Sequence, residues 1–225
     1  MKTLPQLFEK GAVRVALAVL TTAVSMLYAI VYFRHLYLKD ALLGLSGASN
    51  YLGGITIQSI IANLPIIMAF TILLLCVKQP AKKFFLKLEG MRPTVILFAL
   101  AFLYICSMVR QLVVYDDTST IIFRWFYYLV FVAFIEEFEF RALIPWILGD
   151  RVNKYTQWIL PNVLFAVAHC TIPIATGQSA LAVFNSLASG ALGYILSGIA
   201  WEWCKRKTNT LWIGVLIHAL MDFGV

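Results

Sequence analysis

Residues 121–148 read IIFRWFYYLVFVAFIEEFEFRALIPWIL, and the fold turns on them. The stretch is apolar over more than the roughly 20 residues that carry a helix across a bilayer, yet Glu136, Glu137, Glu139 and Arg141 sit well inside it. A charged side chain at such depth costs at least about 2.5–3.5 kcal/mol on the insertion scale, so it persists where it meets partners and serves a site.

The rest of the chain repeats the apolar pattern. Of its 225 residues 61% are hydrophobic, mean hydropathy is +0.85, and a soluble domain is only about 45–50% apolar. Runs of spanning length occur at about Val13–Phe33, Ile57–Val77, Thr94–Val114, Ile121–Leu148, Tyr155–Ile172, Leu181–Trp201 and Leu211–Val225. Helices satisfy their own backbone in lipid, so the expected fold is all-α. It is one polytopic transmembrane bundle over residues 1–225, of about seven spans, with a motif-bearing core at about 121–225. The first run is too long for a signal-peptide core and reads as a retained span.

The net charge of +7 belongs to loops facing anionic headgroups rather than to nucleic acid. Lys2, Lys10, Arg14, Lys78, Lys82, Lys83, Lys87, Arg92, Arg151, Lys154, Lys205, Arg206 and Lys207 fall in segments on one side. Arg34, Lys39 and Arg110 fall on the other. The asymmetry predicts an N-in orientation. Residues 78–92 mix bases with aromatics and read as a short amphipathic surface helix. The Gly-, Ser- and Asn-rich segment 43–56 reads as an outer loop. Cys76, Cys106, Cys170 and Cys204 lack metal-clip spacing and read as small hydrophobes. Trp125, Trp201 and Trp203 read as interfacial anchors, Gly190 and Gly193 as close helix packing, and Pro145 as a bend in the fourth span.

Other ionisable residues inside the runs are His169, His218 and Asp222. Measured from the same face along ideal helices, Glu136, His169 and the His218–Asp222 pair lie about 17–23 Å deep, the common height a shared site needs. Glu137 and Arg141 stand at i,i+4 in the favourable order for an ion pair. Glu136 is turned about 100° away, toward the bundle interior. His218 and Asp222 also share a face. Glu139 reads as non-catalytic, on another face or paired with Arg124 or Arg141. A carboxylate in an apolar pocket suits a general base, and His169 and His218 suit proton transfer and oxyanion stabilisation. The same Glu136, His169, His218 and Asp222 are also a donor set for zinc; the residue types do not choose between a metal-bound and a glutamate-activated water. No HExxH is present, and Ser189 lacks the glycine two residues earlier that a serine nucleophile turn requires. A proton relay or small transporter would also bury Glu and His, but no broken-helix repeat divides the chain.

These positions resemble the CPBP family, the CAAX-protease and bacteriocin-processing group also called Abi. The EExxxR box is Glu136-Glu137-Phe138-Glu139-Phe140-Arg141, FxxxH is Phe165 to His169, and HxxxD is His218 to Asp222. The resemblance implies a membrane-embedded endopeptidase, of glutamate/His or metalloprotease type, with membrane lipids and a membrane peptide or protein substrate as partners. By motif position Glu136, His169, His218 and Asp222 are its catalytic residues, and Glu137 and Arg141 brace them. It also implies a cell-membrane location, in a bacterial plasma membrane, and as the alternative a bacteriocin self-immunity protein acting by binding. An Asp at position 222, where Asn also occurs in the motif, cannot donate a hydrogen bond when ionised, which favours a His-orienting or metal role.

Overall fold

The computed structural model describes residues 10–38, 61–73 and 85–223. They form α1 (Gly11–Leu38), α2 (Leu64–Thr71), α3 (Met91–Val114), α5 (Lys154–Ala168), α6 (Thr171–Ala175), α7 (Ala180–Thr208) and α8 (Trp212–Phe223). Between α3 and α5 runs α4, one continuous helical stretch over Thr118–Arg151. No strand occurs among the described residues.

Among the described residues five helical stretches are long and apolar enough to cross a membrane: Gly11–His35, Met91–Val114, Thr118–Arg151, Lys154–Ala175 and Ala180–Thr208. Their outer faces carry Phe98, Phe102, Val113, Leu181 and Leu192, all exposed, as lipid contact requires and a soluble surface does not tolerate. The expected second span is described only over residues 61–73, and the loop 43–56 lies outside the described residues. The last helix, α8, has 12 described residues, about 18 Å of rise, short of the roughly 30 Å hydrocarbon core.

α4 divides the interior. Phe138, Ala133 and Ile135 pack with Tyr104 of α3 and Val215, Ala219 and Phe223 of α8. Phe140, Ile144 and Leu148 pack with Ala18 of α1, Phe165 of α5 and Trp201 of α7. Asp117 starts α4 by accepting from the Thr120 N–H at 3.1 Å, and the Thr120 hydroxyl and N–H hold its carboxyl below the ordinary value. The helix is not regular: Tyr128–Phe134 and Glu139–Leu143 are wide π turns. The second of these ends two residues before Pro145, whose missing N–H and bulky ring would meet the Arg141 carbonyl in a tight α turn. The bend expected from Pro145 is thus a widened turn just ahead of it.

Several readings change. Residues 78–84 of the expected amphipathic helix lie outside the described residues, and residues 86–89 are not helical. They dock instead on the start of α8: the Phe85 carbonyl accepts from Leu211 N–H at 2.7 Å, and the Leu86 carbonyl from the Trp212 indole at 2.9 Å. α7 does not stop at Trp201 but continues to Thr208, ending at Asn209 in the left-handed region (φ 54°). Lys205 is therefore not a loop residue; it is buried beside Glu202, Nζ to Oε2 at 2.7 Å. Trp201 is buried, so it is not an interfacial anchor; Trp125, partly exposed, stacks on Tyr104 at 5.0 Å. Among the described cysteines Cys170 is buried and Cys106 is exposed.

The start of α1 closes on the end of α4. Arg14 donates to the Ile147 carbonyl at 3.1 Å, and a Cβ on Gly11 would stand 2.5 Å from the Arg151 carbonyl oxygen. That oxygen is backbone and cannot swing aside. Gly11→Ala should therefore destabilise the protein by about 1–3 kcal/mol, read as a lower thermal unfolding midpoint in detergent.

Candidate active site

The two motif helices α4 and α8 bring their polar residues into contact. The His218 Nδ1 lies 3.2 Å from Glu137 Oε1, and its Nε2 lies 3.3 Å from Asp222 Oδ2 and 3.7 Å from Glu136 Oε2. An ionised carboxylate only accepts, so the Glu137 contact places a proton on Nδ1 and turns Nε2 toward Glu136 and Asp222. The ring is clamped from its face by Trp201, stacked at 4.7 Å between centroids.

Glu137 faces two ways. Its other oxygen is 3.7 Å from Arg141 Nε, with both side chains about 1% exposed. The guanidinium also lies over the rings of Phe165 at 4.8 Å and Trp201 at 5.8 Å, and cation–π attraction is strong where water is excluded. A Cβ on Gly198 would stand 2.5 Å from Arg141 Nη2 and 2.2 Å from Asn162 Oδ1. The bare glycine is what lets α7 press against both. The Arg141 carbonyl, denied a partner at Pro145, accepts from Lys205 Nζ at 2.5 Å.

His169 reaches the site from the opposite side. α5 ends at Ala168, and the His169 N–H bonds back to Ala166 at 3.3 Å rather than to Phe165. The Phe165 carbonyl thus accepts from His169 Nδ1 at 2.9 Å, leaving Nε2 as the ring nitrogen not engaged by the backbone. Tyr194 of α7 stacks on this imidazole at 3.8 Å. A Cβ on Gly190 would stand 2.6 Å from the Tyr194 ring, so Gly190 makes room for that ring rather than for a neighbouring helix. Gly193, also read as a packing residue, has no atom of the described residues within 4 Å of its Cβ position.

Between the two halves is a cavity of about 250 Å³ lined by Glu136, Glu139, Phe131, Phe140, Phe165 and His169, among others. Glu136 thus touches the cavity on one side and His218 on the other. Glu139 faces the same cavity, not another face as expected, because residues three apart on a helix are surface neighbours. It makes no ion pair with Arg124 or Arg141; Arg124 lies over the Tyr128 ring at 5.9 Å. Among the described residues no group of three or more His, Cys, Asp or Glu converges as a metal site. As placed, these donors do not form a zinc shell.

The sequence reading missed Trp201, Tyr194, Gly198, Asn162 and Lys205. Their signal was faint: small residues and aromatics on α7 are ordinary span composition until a partner is known.

A helical membrane bundle with a buried Glu–His cluster defines the class. Residues 118–224 match the family described as Type II CAAX prenyl endopeptidase Rce1-like, in keeping with the CAAX-protease group that the three motifs resemble. The match runs from α4 to α8 and leaves the earlier helices outside it. No curated protein and no solved structure matches the chain.

Gly198→Ala should push Arg141 or Asn162 out of place and lower stability in detergent by about 1–3 kcal/mol. Gly193→Ala on the same helix should leave the unfolding midpoint unchanged, since a methyl there meets open space.

Proposed function

We propose that the chain is an intramembrane endopeptidase of the glutamate/His type, hydrolysing peptide bonds of membrane-associated peptides or proteins. One observation carries the reading: His218 is held by Glu137 on one nitrogen and faces Glu136 and Asp222 on the other, while Glu136 shares a cavity with His169.

In this mechanism a water in the cavity sits between Glu136 and Nε2 of His169. Glu136 takes a proton as the water oxygen bonds to the scissile carbonyl carbon. The carbonyl π pair moves onto its oxygen, which His218 stabilises as a hydrogen-bond donor through Nε2. Collapse restores the carbonyl, breaks the C–N bond, and passes the proton from Glu136 to the leaving amine. Asp222, acceptor-only when ionised, orients the Nε2 side of the ring. Glu137 holds the Nδ1 side, and Arg141 balances the Glu137 charge.

An N-in arrangement accords with the same reading. The start of α1 meets the end of α4 through Arg14 and Gly11. Lys10, Arg14, Arg151 and Lys154 therefore share one end of the bundle, the basic end that faces the cytoplasm.

Purified protein in detergent with a quenched fluorescent membrane peptide tests the proposal. Glu136→Gln should lower the cleavage rate by about 10²–10⁴, the usual weight of a positioned acid–base group. Equal cleavage by wild type and this variant would overturn it. Treatment with phenanthroline and dialysis should leave the wild-type rate unchanged. A loss restored by zinc would assign the four residues to a metal shell instead.

A further inference from the structure

The cavity is larger than a hydrolytic water needs, since a water's share of liquid volume is about 30 Å³ and the cavity holds about 250 Å³. One of its walls carries a carboxylate that the mechanism does not use. Glu139 is 7% exposed, its Oε1 is buried, and that oxygen has no hydrogen-bond partner among the described residues. No cation of the described chain reaches it: Arg141 is engaged by Glu137, Phe165 and Trp201, and Arg124 lies over Tyr128. A buried carboxylate left unpaired is costly, and a partner brought from outside removes that cost. The EExxxR pattern asks nothing of position 139, so the residue is not there to complete the box.

The remaining walls define the partner. Tyr127, Phe131, Phe140 and Phe165 give the same cavity aromatic surface, beside the polar Ser25 and Thr171. A long apolar stem ending in a cation fits such a space, with its methylenes along the rings and its charge at the carboxylate. Glu139 lies three residues beyond Glu136, about 4.5 Å along the axis, so a chain held at Glu136 passes close to it.

We infer that this cavity is a specificity subsite for a basic residue, lysine or arginine, adjacent to the bond that is cut, with Glu139 as its charge partner. The inference rests on the protease reading and names the substrate class for the same site.

The test uses the full-length protein and quenched membrane peptides differing at one residue beside the scissile bond: lysine, arginine, norleucine or glutamate. Wild type should cleave the lysine and arginine peptides about tenfold or more faster than the norleucine peptide, the ratio expected from a charge-assisted hydrogen bond. Glu139→Gln, close in shape, should retain cleavage of the norleucine peptide and lose the preference. Glu139→Lys should turn the preference toward the glutamate peptide. Equal rates for lysine and norleucine peptides on wild type, or an unchanged ratio in Glu139→Gln, would overturn the subsite while leaving the protease standing. If wild type cleaves none of the peptides, anisotropy of the labelled peptides on the same protein decides. Tighter binding of the lysine peptide, abolished by Glu139→Gln, would support a basic-residue site in a non-protease. No difference would overturn the inference as well as the protease reading.

Discussion

The Glu137 carboxylate is the contact on which the site's geometry depends. One oxygen meets His218 of α8 and the other meets Arg141 one turn along its own helix. A single acid thereby fixes the rotation of an imidazole and neutralises a guanidinium, all three of them nearly fully buried. Removing one member of such a group leaves an uncompensated charge, which is far costlier than losing an exposed pair. Aromatic faces of Phe165 and Trp201 complete the enclosure where further hydrogen-bond partners are lacking. The arrangement ties α4, α5, α7 and α8 to one cluster. Residues on four separate helices are thus positioned by electrostatics as well as by packing.

What the sequence disclosed was the part governed by cost and period. Apolar run length announced helices in a bilayer, and the expense of charge in such runs singled out Glu136, Glu137, Arg141, His169, His218 and Asp222. The i,i+4 relation of Glu137 to Arg141 and of His218 to Asp222 needed only the helix repeat, and both pairs are in contact. What stayed hidden was tertiary. Lys205 looked like one more cytoplasmic base because the end of α7 carries no early breaker, and only the carbonyl freed by Pro145 explains why its ammonium turns inward. Trp201 looked like an interfacial ring because nothing local marks an indole that stacks on a histidine. Glu139 was set aside because ion-pair reasoning sought it a partner within the chain, whereas its surroundings are a void.

The two histidines show how one residue type takes two electrical settings. His218 is ringed by three carboxylates. His169 has a peptide carbonyl on one nitrogen and a phenol ring across its face. The pair is thus differentiated by neighbours rather than by sequence context. Asp222 belongs with the first setting, on the nitrogen that Glu137 leaves open.

The break between α5 and α6 has a consequence for solvent. In hydrocarbon an interrupted helix is tolerated only where its loose peptide groups are covered by protein or line a wet chamber. Here the interruption falls at His169 and Cys170, and His169 itself lines the chamber. The turn within this spanning segment therefore brings a polar side chain, His169, to the wall of the chamber. A polar wall at the depth of Glu136 is what a chamber must offer if water, the second reactant of any hydrolysis, is to enter it.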